Sequence, residues 1–268
     1  MLHALIDTRT LRRALAAVAP HVLKPSNPLA GGDLVLMRWT FTPHLMWVQA
    51  STGATTAMAA VNVSNVEGLT GDPYEDSFEI SVSSAEAILA TFRAHRDQEM
   101  ESDLDVVVRD DRLGRWVDLE DVSGLIPGQK LTIPRAERPD HFPNLPRVTS
   151  DRLDARPIQA VDPESGPVGK IRAQGLVELL KRFSAAEKIY GQPALVQATQ
   201  GHRAFLVTVA DAFIGMVITY QEDDGEPAAW HANITAHQNA LLAQLGPLGM
   251  ALDHSNERRN QPPTRLHA

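Results

Sequence analysis

The chain has 268 residues, 43% of them apolar and 22% charged, with a formal net charge of −8. That is the composition of an ordinary soluble protein, long enough for one large domain or two small ones. With no cysteine, disulfides, thiolate metal sites and cysteine nucleophiles are excluded together, and a reducing, cytoplasmic location is expected.

The apolar run at residues 1–6 is too short for a signal peptide and Asp7 interrupts it. No window approaches the roughly 18 apolar residues of a membrane span. Residues 2–7 read as a short strand. Asp7 or Thr8 caps the helix that follows, because a side-chain oxygen there satisfies an orphan N–H. Leu11, Leu15, Val18 and Val22 recur at helical spacing, and Pro20 ends the regular helix. Lys24-Pro25-Ser26-Asn27-Pro28 is a turn cluster. From Leu34 the period is two. Leu34 and Leu36, then Met46 and Val48, then Met58, Ala60 and residues 61–63 give three strands, with turns at Pro43-His44 and Thr52-Gly53. Residues 72–76 read as an exposed loop.

The order then recurs. Residues 78–82 alternate as a strand, and Ser83 with Glu86 forms a capping-box pattern before a helix whose stripe is Ile88, Leu89 and Phe92. Residues 104–109, 116–119 and 130–133 are strand candidates. The segment 139–146 is a proline-bracketed connector, and 149–168 reads as a linker rich in Pro, Asp and Gly. A third unit follows: a possible strand at 168–171, then a helix with Leu176, Val177, Leu180 and Phe183 as its stripe. Strands at 194–199, 204–210 and 212–220 complete it, with Gln200-Gly201-His202 as a hairpin turn. Residues 229–245 form a helix candidate bearing Trp230, Ile234, Leu241 and Leu245, and 253–268 read as disordered.

The charge is unevenly spread. The three helix regions, 8–24, 83–96 and 170–188, carry eleven basic and three acidic residues, a net +8, which leaves −16 on the remainder. Solvated helix faces are often rich in Lys and Arg, and that accounts for each helix singly. It does not explain why acids avoid all three. One shared basic surface would do so, and it would follow a phosphate backbone by counterion release without reading bases.

Three stretches resemble the bacterial DNA sliding clamps, the polymerase processivity rings. They are Leu34-Val35-Leu36 with Trp47-Val48-Gln49-Ala50-Ser51-Thr52-Gly53, Leu131-Thr132-Ile133-Pro134 through Phe142-Pro143-Asn144-Leu145-Pro146, and the run 205–220. Coverage is roughly residues 2–221, at low similarity outside these stretches. The resemblance implies an α+β fold of clamp-like strand–helix–strands repeats, with helices on one face of curved antiparallel sheets. It implies a clamp domain of two units at 1–147, a linker plus third unit at 148–222, and a C-terminal tail at 223–268. Chains of that family carry more than three units, so the resemblance implies either a shortened relative or a fourth, degenerate unit within 147–168 or 229–252. The function implied is a non-catalytic sliding clamp or processivity factor. It would hold duplex DNA without sequence specificity, form a homo-oligomeric ring, and recruit DNA polymerase and clamp loader. The alternative is a clamp-fold interaction protein that does not encircle DNA and modulates another clamp or replisome component.

The residues implied to face the duplex are Arg12, Arg13, Arg93, Arg96, Lys181 and Arg182, with Lys24, Lys170, Arg172 and Lys188 as secondary candidates. A solvated surface role is open for each of them. Gln244-Leu245-Gly246-Pro247-Leu248 resembles in part the short Gln-Leu peptides that dock on clamps, although a fraying apolar helix end is the default reading. No catalytic, metal or cofactor site is expected. His231 and His237 are six apart, off metal-binding spacing, and no HExxH is present. Nucleotide loops and a Gly-x-Ser-x-Gly elbow are absent. Capping explains Ser83-Ser84. Asp103, Asp105, Asp110 and Asp111 read as solvent-facing strand and turn positions. Trp39, Trp47, Trp116 and Trp230 are too dispersed for a base-stacking platform.

Overall fold

The computed structural model describes residues 1–27, 34–93, 103–112, 114–124, 128–139, 142–153, 173–198, 204–218, 245 and 247–252. Strand β1 (Leu2–Asp7) alternates buried and half-buried residues and runs directly into helix α1 (Thr8–Val18). The Asp7 carboxylate accepts the Arg9 and Thr10 N–H groups at 2.9 and 3.2 Å, which is the expected cap. A 3-10 turn containing Pro20 closes the helix. Strands β2 (Leu36–Phe41), β3 (Leu45–Ser51) and β4 (Thr55–Glu67) follow as an antiparallel meander.

A second unit has the same order: β5 (Ser77–Ser81), α2 (Val82–Thr91), β6 (Asp103–Asp111), β7 (Gly114–Asp121) and β8 (Lys130–Pro134). The two units interlock, because β1 pairs with β6 and β5 pairs with β2. Just past β8, the Ala136 N–H donates to the Glu79 carbonyl of β5 at 2.8 Å, so the eight-strand path returns on itself. Helix α3 (Leu145–Leu153) comes next, then α4 (Ala173–Leu180), a 3-10 turn at Lys181–Phe183 and α5 (Ser184–Tyr190). Strands β9 (Leu195–Ala198), β10 (Ala204–Val209) and β11 (Phe213–Ile218) complete the third unit. β11 docks on residues 55–59 of β4, on the edge away from β3, while residues 63–67 of β4 pair with β1. One eleven-stranded sheet results among the described residues.

Alternation sorts the apolar side chains to two faces of this sheet. Met46, Val48, Ala57, Ala59, Val207, Val209 and Phe213 face the layer of α1, α2 and α5, in one core with Leu11, Leu15, Ile88 and Ala186. Their strand neighbours Trp47, Met58, Leu206, Ile214 and Met216 face the opposite way. There they pack against Leu145 of α3 and the tail leucines Leu245, Leu248 and Leu252. The expected helix layer therefore lies on one face, and α3 with the helical residues 247–252 adds a cover on the other.

Several local expectations are corrected. The cap of α2 is Ser81, whose Oγ accepts the Ser84 N–H at 3.1 Å, rather than Ser83 with Glu86. Ser81 is already extended at φ −77° and ψ 160°, so the helix starts two residues early. Asp76 is buried rather than exposed, because its carboxylate accepts the Thr70 N–H at 2.8 Å and the Gly71 N–H at 3.1 Å. The third helix is split by the 3-10 turn, which drives Phe183 onto Gly215. A Cβ at Gly215 would lie 2.3 Å from the Phe183 ring and 2.7 Å from the Thr56 carbonyl, so only glycine admits this approach. Residues 149–153, read as linker, belong to α3, which runs across residue 147. Leu245 is fully buried and is no frayed end. The strand at 168–171, the turn at 200–202, the tail helix at 229–244 and the segment 253–268 lie outside the described residues.

Arg138 and Phe142, from the stretch around the connector, cover the outer face of β2 and β5. The Arg38 guanidinium lies 3.9 Å from the Phe142 ring centroid and pairs with Glu79 through Nε at 2.7 Å and Nη2 at 2.6 Å. Arg138 adds a 3.4 Å contact to Glu79. Asn144 caps α3, accepting the Arg147 N–H at 3.1 Å.

Candidate nucleic-acid interface

Helix α1 buries Thr8, Leu11, Ala14, Leu15, Ala17 and Val18 and turns Arg9, Arg12 and Arg13 away from the sheet. No acid lies in its first turn. The helix packs between α2 on one side and α5 on the other. Arginines stitch this layer together. Arg12 Nη1 donates to the Leu89 carbonyl at 2.6 Å and also to the Phe92 carbonyl, at the end of α2. Arg182 Nη1 donates to the Pro20 carbonyl at 2.5 Å, just past α1. A cation suits a helix C-terminus, where unpaired carbonyls gather negative partial charge. Burial, and then the neighbouring Arg93, lower the Arg12 guanidinium from its ordinary range.

The other candidates are less committed to the fold. Arg93 is exposed and its Nε donates to the Ala90 carbonyl at 3.2 Å. Lys181 is exposed and pairs with Glu178 at 2.5 Å. Lys188 and Lys24 are exposed, and Arg13 is half-buried close enough to Tyr190 to act on its phenol. Burial nevertheless pushes Tyr190 up to about 12. Arg96, Lys170 and Arg172 lie outside the described residues. The basic charge assigned to the second helix does not sit on it: α2 carries Glu86 alone, and Arg93 follows its C-terminus. Arg9, exposed one turn before Arg13, shares the outward side of α1 and was not singled out. The signal for it was its i, i+4 spacing from Arg13. Of the acids in this layer, Glu178 is neutralised by Lys181, and Glu187 Oε1 accepts the Ala194 N–H at 2.8 Å.

Beneath the layer, His21 joins α1 to the third unit. It is fully buried, its Nδ1 lies 3.1 Å from the Thr55 hydroxyl, and its ring packs tilted against Phe183, with centroids 4.4 Å apart. Burial, reinforced by Arg182, lowers the imidazole to about 3. Among the described residues no cluster of His, Asp and Glu could hold a metal ion, and no helix is long and apolar enough to cross a membrane. Among the described residues the layer offers dispersed cations, an arrangement suited to an extended polyanion.

These features define an α+β protein of repeated strand–helix–strands units with a partly basic helix layer. No family model matches the sequence, and no curated protein matches it. Among solved structures, the chain is similar in fold to the beta subunit of DNA polymerase III from Thermotoga maritima, at 9% identity and TM-score 0.49, covering 83% of this chain and 66% of that one. It is also similar to the DNA polymerase sliding clamp of Pseudomonas aeruginosa, at 13% identity and TM-score 0.49, covering 85% and 66%. The DNA polymerase beta subunit of Streptococcus pyogenes gives 11% identity and TM-score 0.48, covering 84% and 66%. The chain thus spans slightly under two thirds of the length of these structures. The likeness lies in the course of the chain alone.

Proposed function

We propose that this chain is a non-catalytic, clamp-like protein that holds duplex DNA without sequence preference through its helix layer, assembles with further copies, and presents its outer face to replication proteins such as a polymerase or loader. The observation that supports the reading is the side-by-side packing of α1 and α5, which bear exposed Arg9 and Lys188 and half-buried Arg13, with two of the acids there already engaged. Such a surface binds phosphate by releasing counterions, so affinity falls linearly with log salt, by roughly 0.9 per phosphate neutralised. The test is a salt titration of duplex binding by fluorescence anisotropy, using two unrelated sequences. Equal affinity for both is expected, and Arg13→Glu with Lys188→Glu should flatten the salt slope by about two. Retention on circular but not linear duplex tests encirclement. Binding that ignores salt or survives both substitutions would sink the proposal.

A second reading is a clamp-fold interaction protein that leaves DNA alone. It is favoured by Arg12 and Arg182, whose guanidiniums bond backbone carbonyls, and by the acidic α2. A chain indifferent to duplex at low salt, yet co-sedimenting with a purified polymerase clamp, would select it.

A further inference from the structure

Two of the arginines that the sequence assigns to the duplex are turned onto backbone instead. Arg12 Nη1 donates to the carbonyls of Leu89 and Phe92, in the last turn of α2 and just past it. Arg182 Nη1 donates to the Pro20 carbonyl, in the 3-10 turn that closes α1. The partners are 77, 80 and 162 residues apart in the chain, so neither contact is a local cap. The plan is the same in both: an arginine from one helical segment closes the C-terminal end of the helix beside it. Its recurrence across three units marks a device of the layer rather than the accident of one side chain.

The chemistry explains the choice of arginine. The last carbonyls of a helix lack an intrahelical partner and gather negative partial charge. A guanidinium nitrogen with two hydrogens can serve a pair of them. Arg12 keeps this place although Arg93 stands close enough to act against its charge. Each contact also places a cation that stays at the surface. The Phe92 carbonyl belongs to the peptide unit from which exposed Arg93 departs, so Arg12 fixes the root of Arg93. Arg182 ties the turn before α5 to the end of α1, so Arg13 of α1 and Lys188 of α5 are held at one spacing.

We propose that Arg12 and Arg182 are positioning residues for duplex binding: they touch no phosphate, and they hold α2, α1 and α5 in the one arrangement in which Arg93, Arg13 and Lys188 meet the duplex together. The bonds that remove these two arginines as contacts are thus what arrays the others. Cations fixed before binding lose little freedom on binding, so they hold a ligand more tightly than the same cations on helices that shift. This role rests on the duplex-holding reading above. It is separable from contact, because only a neutralised phosphate contributes to the salt slope.

The test uses the full-length chain and a fluorescein-labelled duplex, titrated by anisotropy across a range of salt. Arg12→Gln should weaken binding about fivefold at low salt and leave the slope of log affinity against log salt unchanged. Arg182→Gln should do the same. Arg12→Lys, which keeps a donor for the carbonyls without the fork, should lie between the parent and Arg12→Gln and serves in its place if that chain does not fold. A slope flattened by roughly 0.9 in Arg12→Gln would overturn the proposal, because Arg12 would then be a phosphate contact. Unchanged affinity in the folded variants would overturn it too. The chain has no cysteine, so cysteines placed at Glu86 of α2 and Ala16 of α1 are its only sites for spin labels. Electron–electron resonance on the Glu86→Cys, Ala16→Cys chain should give one narrow distance, and adding Arg12→Gln should broaden it. A distance that stays narrow would overturn the positioning role even where the duplex binds. A distance that broadens, in a chain whose parent ignores duplex at low salt, would sink the duplex reading and this role with it, and leave the arginine contacts as ties of the fold alone.

Discussion

The sheet has two halves that differ in how they meet water. In the half running β5-β2-β3-β4 and on to β11 and β10, nearly every residue of β2 and β3 is buried. In the half running β1-β6-β7-β8, β6 and β7 alternate buried with half-buried or exposed residues. The first half is covered twice, by the helix layer on one side and by the connector, α3 and the tail segment on the other. The second is covered once, and its open face carries ion pairs of Arg109 with Asp118 and Lys130 with Glu120. One repeat plan therefore yields two kinds of sheet, and what sits outside the strands decides which.

Charge pairs should expose this difference most strongly. Arg38 and Glu79 are paired beneath the connector, at 5% and 1% side-chain exposure. Glu79→Leu leaves Arg38 buried and unpaired, and should cost about 3–5 kcal/mol in urea unfolding. The doubly substituted Arg38→Met, Glu79→Leu chain should recover most of that loss.

Acid should act next, and again on the doubly covered half. The unfolded chain protonates His21 near its ordinary pKa of 6.5, while the folded chain resists until about 3. Unfolded chains therefore bind the extra proton across that window, and stability falls as pH drops from 6.5 toward 3, on the order of a few kcal/mol. His21→Leu should flatten this part of the stability–pH curve; an unchanged curve would mean the imidazole titrates normally. Gly215→Ala should cost about 1–3 kcal/mol by pushing Phe183 and the third unit off β4. The smallest effect belongs to the open half. Glu120→Gln, removing the partner of Lys130, should change stability by less than about 1 kcal/mol, and 0.5 M salt should erase even that.

Much of this was legible in the sequence where the cause is local. The Asp7 cap, the meander 36–67 and the repeat of its order at 77–134 follow from periodicity and from turn residues such as Gly53. The α2 cap was misplaced because Ser81, Ser83 and Ser84 offer several registers, and the backbone at Ser81 chooses among them. Helix α3 was hidden by the Pro- and Asp-rich stretch around it, although Asn144 followed by Pro146 in the first turn is a start signal. The candidate surface was less legible. Arg12 and the carbonyl of Leu89 are 77 residues apart, and nothing local says that a guanidinium will close a helix end there. The outer cover left a trace in β4, where residues 57–61 are apolar at both parities, as a strand covered on both faces must be.

Strand β4 waits a long time for its last neighbour. Residues 56–59 of β4 pair with β3, their neighbour in sequence, yet their other edge meets β11 only after some 150 further residues are made. Throughout that interval a row of amides and carbonyls flanked by Ala57, Met58 and Ala59 stands open to any extended chain nearby. Stalled or prematurely ended synthesis of this protein should thus yield aggregation-prone fragments, and a chaperone that shields strand edges would find its client in the first half of the chain.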